Sequence, residues 1–119
     1  MSSTSEIRAL ESPADLDALL EVSTRQPVMV FKHSTRCPIS AFAHREFLEY
    51  APGANERGVA CAIVLVVERR ALSLAIADRL GVVHQSPQAI LVRDGTAVWN
   101  ESHEHVSSLA LEQAEGRAG

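Results

Sequence analysis

The hydrophobic positions of this chain fall into short runs whose period changes from segment to segment. Ile7 to Leu10 predicts a short edge strand. Ser12-Pro13-Ala14-Asp15 then carries the marks of a helix start: a serine N-cap, a proline at the first helical position and an acid near the end of the first turn. Leu16, Leu19 and Leu20 recur at helical spacing to about Thr24, and Pro27 closes the segment. Val28 to Phe31 is wholly apolar and rich in β-branched residues, which predicts a buried strand. From Pro38 to Tyr50 the period returns to that of a helix. Ile39, Phe42, Ala43 and Phe47 form its buried stripe, while His44, Arg45, Glu46 and Glu49 mostly face water and Pro52-Gly53 ends it. Val59 to Val67 is a continuous apolar run of strand length, expected of an interior parallel strand covered on both faces. Ala71 to Leu80 reads as a helix with Leu72, Ala75, Ile76 and Leu80 inward and Gly81 as its stop. Gln88 to Val92 and Ala97 to Trp99 flank Asp94-Gly95, a hairpin signal. Val106 to Ala114 makes a last helix with Val106, Leu109 and Ala110 as its inner face.

Alternation of this kind requires right-handed crossovers and an α/β fold, a central mixed sheet with helices on both faces. A chain of 119 residues supports a single domain spanning 1–119, with Met1 to Ser5 as a frayed polar tail. The composition, 46% hydrophobic and 22% charged, is that of an ordinary globular protein. A net charge of -4 gives no electrostatic case for nucleic acid or an anionic membrane surface. Val59 to Val67 is too short to span a bilayer and the N-terminus lacks a signal-peptide layout, so a cytoplasmic protein is expected. The chain's 2 cysteines are too few for a disulfide framework.

One stretch stands apart. Between the Val28–Phe31 strand and the helix that begins at Pro38 lie Lys32-His33-Ser34-Thr35-Arg36-Cys37. Cys37 therefore sits at a strand-to-helix turn, at or beside the N-cap. The unpaired amides and positive dipole end of a helix favour a thiolate over a thiol, and Lys32, His33 and Arg36 add cationic or potentially cationic groups. Polar neighbours at a loop junction argue for a reactive cysteine rather than a packed one. Cys61, among Val59, Ala60, Ala62 and Ile63, reads as core. His44 has no carboxylate or cysteine at metal-ligand spacing, and no metal site is expected. Ser86-Pro87, just before the hairpin, reads either as a strand entry or as a cis proline that leaves a backbone edge free beside the site.

The arrangement resembles a thioredoxin-like fold, with an active-site cysteine opening a helix and a proline opening the hairpin across a cleft. More narrowly, Lys32-His33-Ser34-Thr35-Arg36-Cys37-Pro38-Ile39-Ser40, then His84-Gln85-Ser86-Pro87-Gln88, then Trp99-Asn100-Glu101-Ser102-His103 resemble the monothiol bacilliredoxin (YtxJ-type) family from about Ile7 to Leu111. After Ser102-His103 that family more often carries an aromatic residue, where this chain has Glu104.

The resemblance implies thiol–disulfide exchange with bacillithiol, a low-molecular-weight thiol, as co-substrate and no bound cofactor. S-bacillithiolated proteins would be the partners, and neither nucleic acid nor membrane would be. Ser40 stands where a dithiol reductase has its resolving cysteine, so Cys37 must work by a one-cysteine route. Two readings of Ser40 stand: a hydrogen-bond donor to the thiolate, or a plain first-turn polar residue. Lys32 and Arg36 would stabilise the thiolate and attract bacillithiol's malate carboxylates, or else be merely solvated. His33, Ser34, Thr35 and Pro38 line the expected substrate site, faced by Pro87 and by the Ser86 backbone, which would pair with the substrate chain. Ser102 and His103 acquire no role beyond capping of the last helix by Ser102, Ser107 or a neighbour. From different classes come a non-catalytic thioredoxin-fold binding module and a monothiol iron–sulfur carrier; against the latter, Pro38 replaces the glycine of a CGFS-type loop.

Overall fold

The structure, a computed structural model, describes residues 6–118, so the expected frayed tail at 1–5 lies outside the described residues. The elements run β1 (Ile7–Ala9), α1 (Pro13–Val22), β2 (Val28–His33), α2 (Pro38–Glu56), β3 (Ala60–Leu65), α3 (Arg70–Leu80), β4 (Gln88–Arg93), β5 (Thr96–Ser102) and α4 (Ser108–Ala114). The sheet order is β1-β3-β2-β4-β5. β1 and β2 flank β3 in parallel, while β4 runs antiparallel to β2 and β5 to β4. This is the mixed α/β sheet expected of the element order.

Strand alternation divides the core in two. Val28 and Val30 of β2, with Ala60, Ala62 and Val64 of β3, pack under Leu16, Leu19 and Val22 of α1 and Leu72 and Ile76 of α3. Met29 and Phe31, with Cys61, Ala89 and Leu91, meet Ala43, Phe47, Tyr50 and Ala54 of α2 and Leu111 and Ala114 of α4. Two helices thus cover each face, and β3 and β2, buried between them, are apolar along most of their length. Among the described residues no helix is long and apolar enough to cross a membrane.

The local signals behave as their chemistry dictates. Ser12 caps α1, accepting the Asp15 N–H, with Pro13 in the first turn. Gly81 ends α3 in the left-handed region at φ 65. Asp94 and Gly95, both at positive φ, close the β4–β5 hairpin. The Ser86–Pro87 peptide is cis.

Several boundaries and faces differ from expectation. α2 does not stop at Pro52-Gly53 but runs through Pro52 to Glu56. A proline removes its own i→i−4 hydrogen bond and crowds the i−4 carbonyl, and burial of Ala51 and Ala54 on either side of it keeps the helix on the sheet. Ile39 and Phe42 are not in the buried stripe; at 46% and 45% exposure they lie on the outer surface of α2. Ser40, Ala43 and Phe47 face inward instead, because the sheet ends under the first turn of α2 and only that stripe has strands beneath it. Ala75 and Leu109 are likewise exposed, with Ser73 and Leu111 taking the inner positions of their helices. α4 begins at Ser108, after a 3-10 turn at His103–His105, with Val106 buried ahead of it.

Candidate active site

Cys37 is the N-cap residue of α2, in extended conformation at φ -118 and ψ 124, with Pro38 in the first turn. Its side chain is partly exposed and makes no capping bond. Its amide donates to Ser34 O at 3.3 Å and its carbonyl accepts from Ala41 N at 3.0 Å, which folds Ser34 to Cys37 into one turn. Cys37 thus stands at the amide end of α2. Arg36, Thr35 and Pro38 are exposed around it, and Thr35 Oγ1 donates to Glu68 Oε2 at 3.3 Å, joining the turn to the β3–α3 connection.

Beneath the turn is a polar layer the sequence did not reveal. Ser40 is fully buried, and its Oγ accepts the Ser34 N–H at 2.8 Å while lying 2.8 Å from His33 Nδ1. If Nδ1 accepts, the single hydroxyl proton is committed to His33 and none remains for sulfur. If Nδ1 carries the proton, both lone pairs of Oγ are used and the hydroxyl is free to donate elsewhere. Ser40 is thus a buried brace for the turn rather than a plain first-turn polar residue, and its hydroxyl can donate to sulfur only in the tautomer that protonates His33 Nδ1. His33, expected at the substrate surface, is buried; its ring stacks on His44 at 4.3 Å between centroids, and Phe31 continues the stack over Phe47 at 5.0 Å. His44, expected in water, is half-buried for the same reason. Both histidines are held below their ordinary range, chiefly by burial, and His33 further by His44.

Lys32 also departs from expectation. It is completely buried, and its Nζ lies 3.0 Å from His84 Nδ1. Alternation along β2 turns it to the face of Val28 and Val30, the one covered by α1 and α3, away from α2. It is not a surface cation beside Cys37. Strand propensity could not place it, because a lysine reads as a strand end; the usable signal was its even spacing from Val28 and Val30.

Ser86 and Pro87, expected across from Cys37, lie in the chain leading into β4. Lys32 of β2 stands opposite Gln88 of β4 in antiparallel register. Ser86 and Pro87 therefore enter β4 at the end of β2 from which the Cys37 turn arises. Pro87 is buried, and its carbonyl accepts the N–H of His103 at 2.9 Å. His103 takes a positive φ of 58 to make that contact, which gives the Ser102-His103 pair a backbone role. The cap of α4 falls to Ser107, whose Oγ accepts from Ala110 N at 3.1 Å. Glu104 lies exposed in the turn between them.

Cys61 sits at the far end of the sheet. It is in register with Met29 and Ile7, at the start of β3. From Met29 to His33 the strand alone extends roughly 13 Å, and Cys37 lies beyond that. A disulfide needs Cα atoms within about 7 Å. Burial, then Glu115, pushes the Cys61 thiol up to about 12.

A family model described as monothiol bacilliredoxin BrxC matches residues 8–111. Among solved structures, a candidate oxidoreductase with a thioredoxin fold is similar at 35% identity and a TM-score of 0.80, over 92% of this chain and 93% of that one. A Fasciola hepatica thioredoxin aligns at 20% identity and a TM-score of 0.76, over 94% of this chain and 99% of that one. A reduced Schistosoma mansoni thioredoxin aligns at 19% and 0.75, over 97% and 100%. At such identities the two thioredoxins establish the fold alone.

Proposed function

The chain belongs to the monothiol bacilliredoxin family and is a thiol redox protein of thioredoxin fold, and from that premise we propose that it removes bacillithiol from protein mixed disulfides through Cys37. The Cys37 thiolate attacks the bacillithiol sulfur of a protein–S–S–bacillithiol disulfide. The Cys37–bacillithiol disulfide forms as the S–S bond between bacillithiol and the client's sulfur breaks, and the client leaves as a thiolate that takes up a proton. A second thiol then attacks the Cys37 adduct, carries the bacillithiol away as a disulfide and restores the cysteine. Run backwards, the same steps add bacillithiol to a client.

The observation that carries this reading is the isolation of Cys37. The position one turn along α2, where an intramolecular resolving thiol would stand, holds the buried hydroxyl of Ser40. The other cysteine is buried at the opposite end of the sheet. A thiolate with no partner in its own chain must be resolved by a thiol from solution. Arg36, exposed beside it, is the cation available to a co-substrate carboxylate, and the Ser86 backbone is the edge available to the client chain. Bacillithiol is the co-substrate and no bound cofactor is required; cytoplasmic clients fit the chemistry, since a reducing compartment is where such adducts are reversed.

Mass spectrometry of the reduced protein after exposure to oxidised bacillithiol tests the proposal. One bacillithiol adduct, mapped to Cys37 and released by excess bacillithiol, is the expected result. No adduct under conditions where Cys37 is alkylated by iodoacetamide would remove bacillithiol as co-substrate.

A further inference from the structure

A buried lysine needs a reason, since desolvating an ammonium is costly and an aliphatic side chain would pack in its place. Lys32 has 0% of its surface exposed. An ammonium offers donors only, so at His84 it donates and Nδ1 accepts, which fixes the ring proton on Nε2. The residue opposite Lys32 in the β2–β4 register is Gln88, itself 1% exposed. Gln88 Nε2 donates to Val83 O at 3.0 Å, and its Oε1 accepts the Gln85 N–H at 3.4 Å. Two buried polar side chains, directly across from one another, thus direct their polar ends to the same three residues. Those residues, 83–85, belong to no helix or strand and have no ladder to hold them. They lead straight into Ser86 and Pro87, which enter β4 at the end of β2 from which the Cys37 turn arises.

We propose that Lys32 is a positioning residue for thiol exchange: by holding His84 from within the core it fixes segment 83–86 where the Ser86 backbone can receive the chain that bears the disulfide. The inference rests on Cys37 as the exchanging thiol, and not on bacillithiol as its co-substrate. Lys32 touches neither sulfur nor substrate and acts through His84. Burial brings its ammonium down to about 8. Burial, then Lys32, then Arg70 at the start of α3 hold His84 below its ordinary range. In register with Lys32, β3 presents Val64 and β4 presents Gln88, neither of which titrates. Loss of the Lys32 proton as pH rises through about 8 removes the charge from the bond to His84, so segment 83–86 loosens in that range.

The test uses the full chain and a cysteine peptide activated as its mixed disulfide with 5-thio-2-nitrobenzoate. The Cys37 thiolate attacks the peptide sulfur, the Cys37–peptide disulfide forms, and the coloured thiolate leaves. Alkylation of Cys37 by iodoacetamide, which needs no contact with segment 83–86, is measured alongside and corrects for the thiolate fraction. Lys32→Met should raise the half-saturating peptide concentration about tenfold, the scale of one lost charge-assisted hydrogen bond, with iodoacetamide reactivity unchanged. Lys32→Arg, charged throughout, should restore it. In the wild type the ratio of peptide exchange to alkylation should fall as pH passes about 8, and in Lys32→Arg it should stay level. A folded Lys32→Met with unchanged half-saturation, or one that loses peptide exchange and alkylation equally, overturns the proposal. Should the variants not fold, the wild-type profile decides, since a ratio that stays flat through that pH range overturns it as well.

Discussion

Both cysteines of this protein are tied to the same strand pair, yet one faces solvent at a helix start and the other is sealed in the core. Cys37 lies past the last residue of β2, where α2 begins, in a turn braced by Ser40 and His33. Cys61 lies at the opposite end, against Met29 and under α2 and α4, where Tyr50 donates to Glu115 at 2.7 Å and Arg57 grips the same carboxylate at 2.8 Å. The fold sets one thiol at a helix start and removes the other from water. Residue type does not separate them; position along the strands does. The largest expected effect follows at once: Cys37→Ser should lower exchange with any mixed disulfide by at least about a thousandfold, because a serine hydroxyl stays protonated and leaves a disulfide intact. Stopped-flow exchange checks it. Residual turnover in Cys37→Ser that disappears on adding Cys61→Ala would show the comparison drawn the wrong way round.

The histidines at one end and the buried thiol and phenol at the other should also weaken the fold at opposite extremes of pH. At the Cys37 end His33, His44 and His84 are all held below their ordinary range, first by burial. The unfolded chain therefore binds more protons than the folded one once pH drops below about 6.5, and stability falls from there downward. At the Cys61 end burial pushes Cys61 up to about 12 and Tyr50 up as well. Their stabilising contribution is complete below the ordinary cysteine and tyrosine values and is lost as pH climbs through the raised ones. Lys32, with its value lowered, works against that alkaline loss, since the unfolded chain keeps its proton longer. Urea midpoints across pH test this. His44→Phe, which keeps a ring on His33, should flatten the acid limb only, and Cys61→Ala the alkaline limb only. An acid limb unchanged by His44→Phe would rule out the histidine stack as its source.

How much of this contrast was legible in the sequence depends on which physical signal was being read. Cys37 at a helix start and Cys61 in an apolar run are local facts, and both stand in the structure, as do the hairpin at Asp94-Gly95 and the Ser12 cap. The polar layer beneath the turn was not legible. His33 and Ser40, usually found in water, are buried there only once α2 closes over β2, as Lys32 and Gln88 are buried only when β2 and β4 pair. Ile39 and Phe42 erred in the opposite sense: helical spacing shows that a stripe exists but not where the sheet beneath it ends. Ser40→Ala probes the hidden layer. It strands the Ser34 amide and the His33 ring nitrogen in a buried site, at a cost of about 1–3 kcal/mol. The slackened turn should slow exchange by about tenfold or less. Loss as complete as in Cys37→Ser would mean that the hydroxyl takes part in the chemistry itself.

The smallest effect is the one that isolates the comparison. Cys61→Ala removes a single buried sulfur from a site that is 1% exposed, between β1 and β2 and under α2. Its cost should lie within about 0.5–1.5 kcal/mol, the range for deleting one heavy atom from a packed core. Exchange should be unchanged. No thiolate forms at Cys61 near neutral pH, because burial holds it up at about 12. No bridge can span the gap either, since Met29 to His33 alone covers roughly 13 Å of strand. Denaturant melts and exchange rates measured on the same preparation separate the two contributions. A drop in exchange without a matching drop in stability, or a Cys37–Cys61 disulfide in oxidised protein, would join the two ends chemically and remove the one-cysteine route.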